Sequence, residues 1–170
     1  AESSLKLLCI SYSSLTFQLF ITYHYFWKLK YNLPVLVMNG TLHHVEIYVS
    51  DLNKTIAFWK WLLTEKFSYV ISQKWDFGIS FSLGDTYLVF VQTEEKYLKQ
   101  SFNRKNTGLN HLAFHSDSKE FIDDLTLELK GKGVNILYPD KHPYAGGEDY
   151  YAVFFEDPDR FKVEVVLTEN

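Results

Sequence analysis

The feature that most constrains this chain is an internal repeat. His44-Val45-Glu46-Ile47-Tyr48-Val49-Ser50-Asp51 returns, one residue shorter, as His111-Leu112-Ala113-Phe114-His115-Ser116-Asp117. Gly84-Asp85-Thr86-Tyr87-Leu88-Val89-Phe90-Val91 returns as Asp159-Arg160-Phe161-Lys162-Val163-Glu164-Val165-Val166. Such self-similarity marks one supersecondary unit used twice. Apolar alternation makes 41–49 a strand, and Leu52, Ile56, Trp59 and Leu63 fall at helical spacing behind the capping candidates Ser50 and Asp51. Strands follow at about 67–73, 77–83 and 86–92. The second copy reads as a strand at 109–115 and a capping box at Asp117-Ser118-Lys119-Glu120. Its helix carries Phe121, Leu125 and Leu129 and ends at Gly131 and Gly133, before strands at about 134–138, 150–156 and 161–167. One βαβββ module can neither close a core nor hide its sheet edges, so the two must pack together. The expected class is α+β, with module 1 at about 41–95 and module 2 at about 108–168.

Composition narrows the function. A chain of 170 residues, 46% hydrophobic and 22% charged, is long enough to bury a core without disulfides. Its net charge of -4 and lack of a basic run argue against a nucleic-acid partner. The single cysteine, Cys9, excludes an internal disulfide framework and a Cys-based zinc site, so a cytoplasmic protein is expected. Residues 1–37 hold only Glu2, Lys6, Lys28 and Lys30 as charges, which leaves 38–170 at a net -6. Leu7 to Trp27 carries no charge and is long enough to span a bilayer, but its hydroxyls, Gln18 and His24 suit hydrocarbon poorly. No membrane partner is expected, and no small-residue cleavage motif marks a signal peptide. The lone methionine, Met38, reads as a natural start, making 1–37 an apolar N-terminal extension, upstream-translated or non-native, ahead of a domain at 38–170.

The openings "HHVEIYVSDL" and "NHLAFHSD" and the ending "FFEDPDRFKVEVV" resemble the vicinal oxygen chelate superfamily. That group includes glyoxalase I, extradiol dioxygenases, fosfomycin-resistance proteins and bleomycin-binding proteins. The resemblance covers about 41–168. It implies a cup between the modules, with His44, His111 and Glu164 as ligands of one divalent ion. Two imidazoles and a carboxylate suit Fe, Mn, Ni or Zn with open positions, where a substrate binds through neighbouring oxygens. Strand alternation puts His44, Glu46 and Tyr48 on one face and His43 on the other. Glu46 is the candidate general base. Tyr48, Tyr87, His115 and Phe154 are candidate substrate contacts, and Trp75, Phe77 and Phe81 candidate walls. His115 lies ~13 Å along its strand from His111, too far to share its ion. The loop Pro139–Asp149, with Gly146-Gly147 as a hinge, could close over a ligand.

Departures from the family pattern matter equally. Val89 stands where Glu164 stands in the second copy, which puts glyoxalase I chemistry in doubt. Glu46 and Phe154 replace a small hydroxyl residue and a tyrosine of fosfomycin-type proteins, which disfavours a phosphonate. Arg160 replaces the glycine of a "DPDG" turn. Two readings remain open: a metal-dependent enzyme acting on a small oxygenated or aromatic metabolite, and a metal-free binding or sequestration protein. Family members often pair, so a homodimer is expected, with each cup shared between chains or built within one.

Overall fold

A computed structural model describes residues 39–100 and 102–168. The expected N-terminal extension lies outside the described residues. Leu42–Asn170 make one compact unit.

In the first module β1 (His44–Val49) leads into α1 (Leu52–Lys60). The Asp51 carboxylate caps α1 by accepting from the Lys54 N–H at 3.1 Å. The helix runs on as a π-helical turn over Trp61–Lys66 and is followed by β2 (Val70–Trp75), β3 (Gly78–Leu83) and β4 (Thr86–Gln92). A 3₁₀ turn, Glu95–Tyr97, follows β4. In the second module β5 (His111–Ser116) leads into α2 (Lys119–Gly131), capped by Ser118 on the Phe121 N–H. Strands β6 (Ala152–Glu156) and β7 (Lys162–Leu167) complete it.

The sheets share one plan. The first is ordered β1-β4-β3-β2 with β1 parallel to β4; the second is β5-β7-β6 with β5 parallel to β7. Registers coincide across the repeat: His44 pairs with Tyr87 and Glu46 with Val89, while His111 pairs with Lys162 and Ala113 with Glu164. The expected strand at 134–138 shrinks to one bridge, Ile136 to Phe155, with flanking bonds Leu137 N–H to Phe154 O and Glu156 N–H to Asn135 O. Tyr138, at φ 55, and Pro139 turn the chain away before a longer ladder forms. Arg160 takes φ 64, the backbone that a glycine would favour there.

One core serves both modules. Val49, Trp59, Leu62, Phe81 and Phe90 from the first pack with Ile122, Leu125, Val153, Phe155 and Val163 from the second. Phe67 and Phe114 stack across the junction at 5.0 Å. Polar contacts also cross it: Trp59 Nε1 donates to Asp157 at 3.0 Å, and the Ser50 N–H donates to Asp159 at 2.8 Å. One face of each helix and the inner faces of both sheets are thereby buried. His44, Glu46 and Tyr48 are left on the outward face of β1. No helix among the described residues is long and apolar enough to cross a membrane.

Candidate metal centre

The second module brings two of the three expected ligands together. Glu164 lies mid-strand on β7 with its side chain almost fully buried, and its Oε2 is 2.9 Å from His111 Nε2. The neighbouring residue defines that contact. Asn110 donates its side-chain N–H to the Arg104 carbonyl at 2.9 Å, which turns its Oδ1 toward His111 Nδ1, also at 2.9 Å. An amide oxygen only accepts, so this network assigns the hydrogen of a neutral His111 to Nδ1 and leaves a lone pair on Nε2. A lone pair and a carboxylate oxygen facing each other at this separation repel unless a cation lies between them. A proton meets that need, and so does a divalent ion, whose imidazole ligands characteristically donate their other N–H to an oxygen. The donor chemistry therefore fits a divalent cation.

The other Glu164 oxygen is also engaged. Oε1 accepts the Tyr150 hydroxyl, and that bond, then burial, pushes the Tyr150 pKa up to about 12. Phe154 pairs with Glu164 across β6 and β7 and is buried, with Tyr138 edge-on to it at 5.7 Å. His115 faces the same way as His111 and binds Thr168 at 2.6 Å.

The first module holds a different set. His44 stacks on Tyr87 with ring centroids 4.7 Å apart, and its Nδ1 lies 2.9 Å from His43 Nδ1. His43 was expected on the opposite face; it precedes the first strand residue and so escapes the pleat alternation. Glu46 and Tyr48 are exposed beside them. Of the expected aromatic walls, Phe81 is buried in the core instead, Phe77 is exposed, and Trp75 folds over Gly78, where a Cβ would sit 2.1 Å from its ring. The missing carboxylate has a counterpart one strand away: Glu46 on β1 pairs with Val89 as Glu164 on β7 pairs with Ala113.

The single chain does not unite the halves. Among the described residues no three His, Cys, Asp or Glu side chains gather into one metal site. The sheets bury their helix-bearing faces against each other, so His44 and the His111–Glu164 pair occupy faces turned away from the shared core.

Comparison with known proteins decides the family. Residues 41–165 match the model of the Glyoxalase/Bleomycin resistance protein/Dioxygenase superfamily. The chain belongs to this superfamily. Among its superfamily relatives is the uncharacterized protein YqjT of Bacillus subtilis, 51% identical over 125 residues, covering 74% of this chain and 97% of that protein. The crystal structure of a glyoxalase-like protein from Bacillus halodurans superposes with a TM-score of 0.75 at 55% identity, covering 76% of this chain and 97% of the other. A variant of the fosfomycin resistance protein FosX from Listeria monocytogenes, complexed with Mn(II) and 1S,2S-dihydroxypropylphosphonic acid, shares the fold. Its TM-score is 0.53 at 23% identity, covering 76% of this chain and 90% of that one. Within this superfamily chain, Asn110 and Tyr150 are contacts of the candidate ligands not expected from the sequence. A signal existed for Asn110, since the residue before a strand-opening histidine can reach its ring. Tyr150 carries no such signal, because its contact depends on where a long loop returns.

Proposed function

We propose that this protein is a metal-dependent enzyme holding one divalent cation through His44, His111 and Glu164, in a cup assembled from two copies of the chain. The single observation that carries the reading is the 2.9 Å approach of His111 Nε2 to Glu164 Oε2, with Asn110 directing the imidazole lone pair at the carboxylate. The family supports it, since FosX is described with Mn(II). The need for a second copy follows from the separate placement of His44. Both β1 and β5 are edge strands among the described residues, each with one side of its hydrogen-bonding backbone open to a partner strand.

When bound, the cation supplies Lewis acidity and stabilises negative charge on a substrate oxygen. The chain's own residues do the rest. Tyr87 holds the His44 ring in a stacked orientation, and Asn110 holds His111. Phe154 and Tyr138 form an apolar wall beside Glu164 that favours a small oxygenated or aromatic metabolite. Glu46, exposed across from Val89, is the carboxylate placed to accept a substrate proton. Its charge also opposes a phosphonate ligand, so fosfomycin is not the substrate proposed.

Calorimetric titration of the full chain with Mn(II) tests the reading: one site per chain is expected, lost in His44→Ala and in His111→Ala. Metal binding unchanged in both variants would sink it. The second reading, a metal-free binding protein, draws on the same 2.9 Å contact, because a proton also satisfies it. That reading predicts tight binding of a planar compound, unaffected by chelator.

A further inference from the structure

We propose that Tyr150, seated against Gly146, is a positioning residue that restricts Glu164 to one free oxygen and so keeps one more coordination position open to substrate. The inference rests on the metal reading above and concerns how the carboxylate binds.

Glutamate can offer a cation one oxygen or two, and the choice decides how many positions are left for substrate. Here the choice is made by neighbours. Oε2 faces His111, whereas Oε1 accepts the Tyr150 hydroxyl. A bidentate grip would compete with that hydrogen bond for the electron density and orientation of Oε1, and hydrogen bonds to carboxylates are among the stronger kinds in a protein.

The tyrosine is held in place from two directions. Gly146 lies directly against its ring: a Cβ there would come within 2.2 Å of Tyr150 Cδ1, so only glycine lets the ring lie where it does. On the other side Tyr151 donates its hydroxyl to Asp123 of α2 at 2.7 Å and meets Tyr144 edge-on at 5.4 Å. Consecutive tyrosines thus point opposite ways, one to the carboxylate and one to the helix. The Ala152 N–H, bonded to the Pro143 carbonyl at 2.9 Å, ties the loop end to its beginning. The loop 139–149, expected as a lid, ends directly before Tyr150, whose hydroxyl reaches Glu164.

Water-proton relaxation of the Mn(II)-loaded full chain reads this directly, because it reports water molecules on the ion. Three protein donors leave three octahedral positions, and a second Glu164 oxygen leaves two. Tyr150→Phe should therefore lower the relaxivity per bound Mn(II) by about a third. Gly146→Ala should do the same by displacing the ring while keeping the hydroxyl, which separates positioning from loss of a polar group. A purely structural role would shift thermal stability and leave relaxivity per bound ion unchanged in both variants, and that result overturns the proposal. A parent chain that binds no Mn(II) would overturn the metal reading and this inference together. Mn(II) binding with unaltered relaxivity in both variants removes this inference alone.

Discussion

The two modules share strand order and register, yet they carry different chemistry at equivalent places. Module 1 offers His44 stacked on Tyr87, with its carboxylate, Glu46, exposed on the edge strand. Module 2 offers His111 against Glu164, a carboxylate buried on the inner strand and held by Tyr150. The difference teaches that repetition of the backbone serves the shared core, while the outward faces are free to diverge. A buried ionised carboxylate needs partners, and module 2 supplies them where module 1 leaves its carboxylate to water.

That comparison breaks most visibly in the core. Phe90→Ala in module 1 and Phe155→Ala in module 2 should each cost about 3–5 kcal/mol, because both rings are fully buried in the same cluster. Chemical denaturation should give one transition for either variant. Two separated transitions would mean that the modules fold as independent units.

Asp157 sharpens the comparison at the junction, where it accepts from Trp59 of the other module. Burial raises its pKa from 3.8 to about 6. A carboxyl whose folded-state pKa is raised takes up its proton more readily in the folded chain. Its contribution therefore favours folding below pH 4 and is lost as pH rises through 6. Relative to Asp157→Asn, the parent should gain roughly 2–3 kcal/mol between about pH 7 and pH 4. The comparison with the variant is needed because Glu156, whose pKa is lowered by Asn135 and Arg104 against its own burial, pulls the other way on acidification. A pH-independent difference between parent and variant would contradict this.

Equivalent helix caps should behave alike. Asp51→Ala and Ser118→Ala are each expected to cost ~1 kcal/mol by urea denaturation. Unequal losses would show that one helix leans on its cap more than its repeat does. The smallest effect is expected at Arg160, whose positive φ carries strain of about 1 kcal/mol. Arg160→Gly relieves it at a cost in chain entropy, so the net change should stay within about 1 kcal/mol. A larger loss would show that its approach to Glu156 at 3.5 Å matters more than its exposed side chain suggests.

Much of this was legible in the residues. The strand–helix–strand order, the Asp51 cap and the β4–β7 correspondence follow from alternation, helical spacing and capping chemistry, all of them local rules, whereas the second helix caps on Ser118, one residue later than the expected capping box opened by Asp117. The shortened ladder at Ile136 was not, since it depends on the backbone turning at Tyr138. Phe81 illustrates another limit: its aromatic neighbours in sequence, Trp75 and Phe77, do not predict which face of β3 it occupies. For the site, the pairing of His111 with Glu164 was expected from resemblance. The roles of Asn110 and Tyr150 were not, because both depend on loops closing in space.

The central claim is that each cup takes one module from each of two chains, and complementation tests it most directly. His44→Ala and His111→Ala chains, each expected to lose Mn(II) binding, would be unfolded, mixed and refolded together, and Mn(II) binding measured. A shared cup predicts that binding returns, because every mixed pair contains one cup built from two undamaged modules. If both ligand halves met within one chain, every cup in the mixture would carry a lesion, and binding would stay absent.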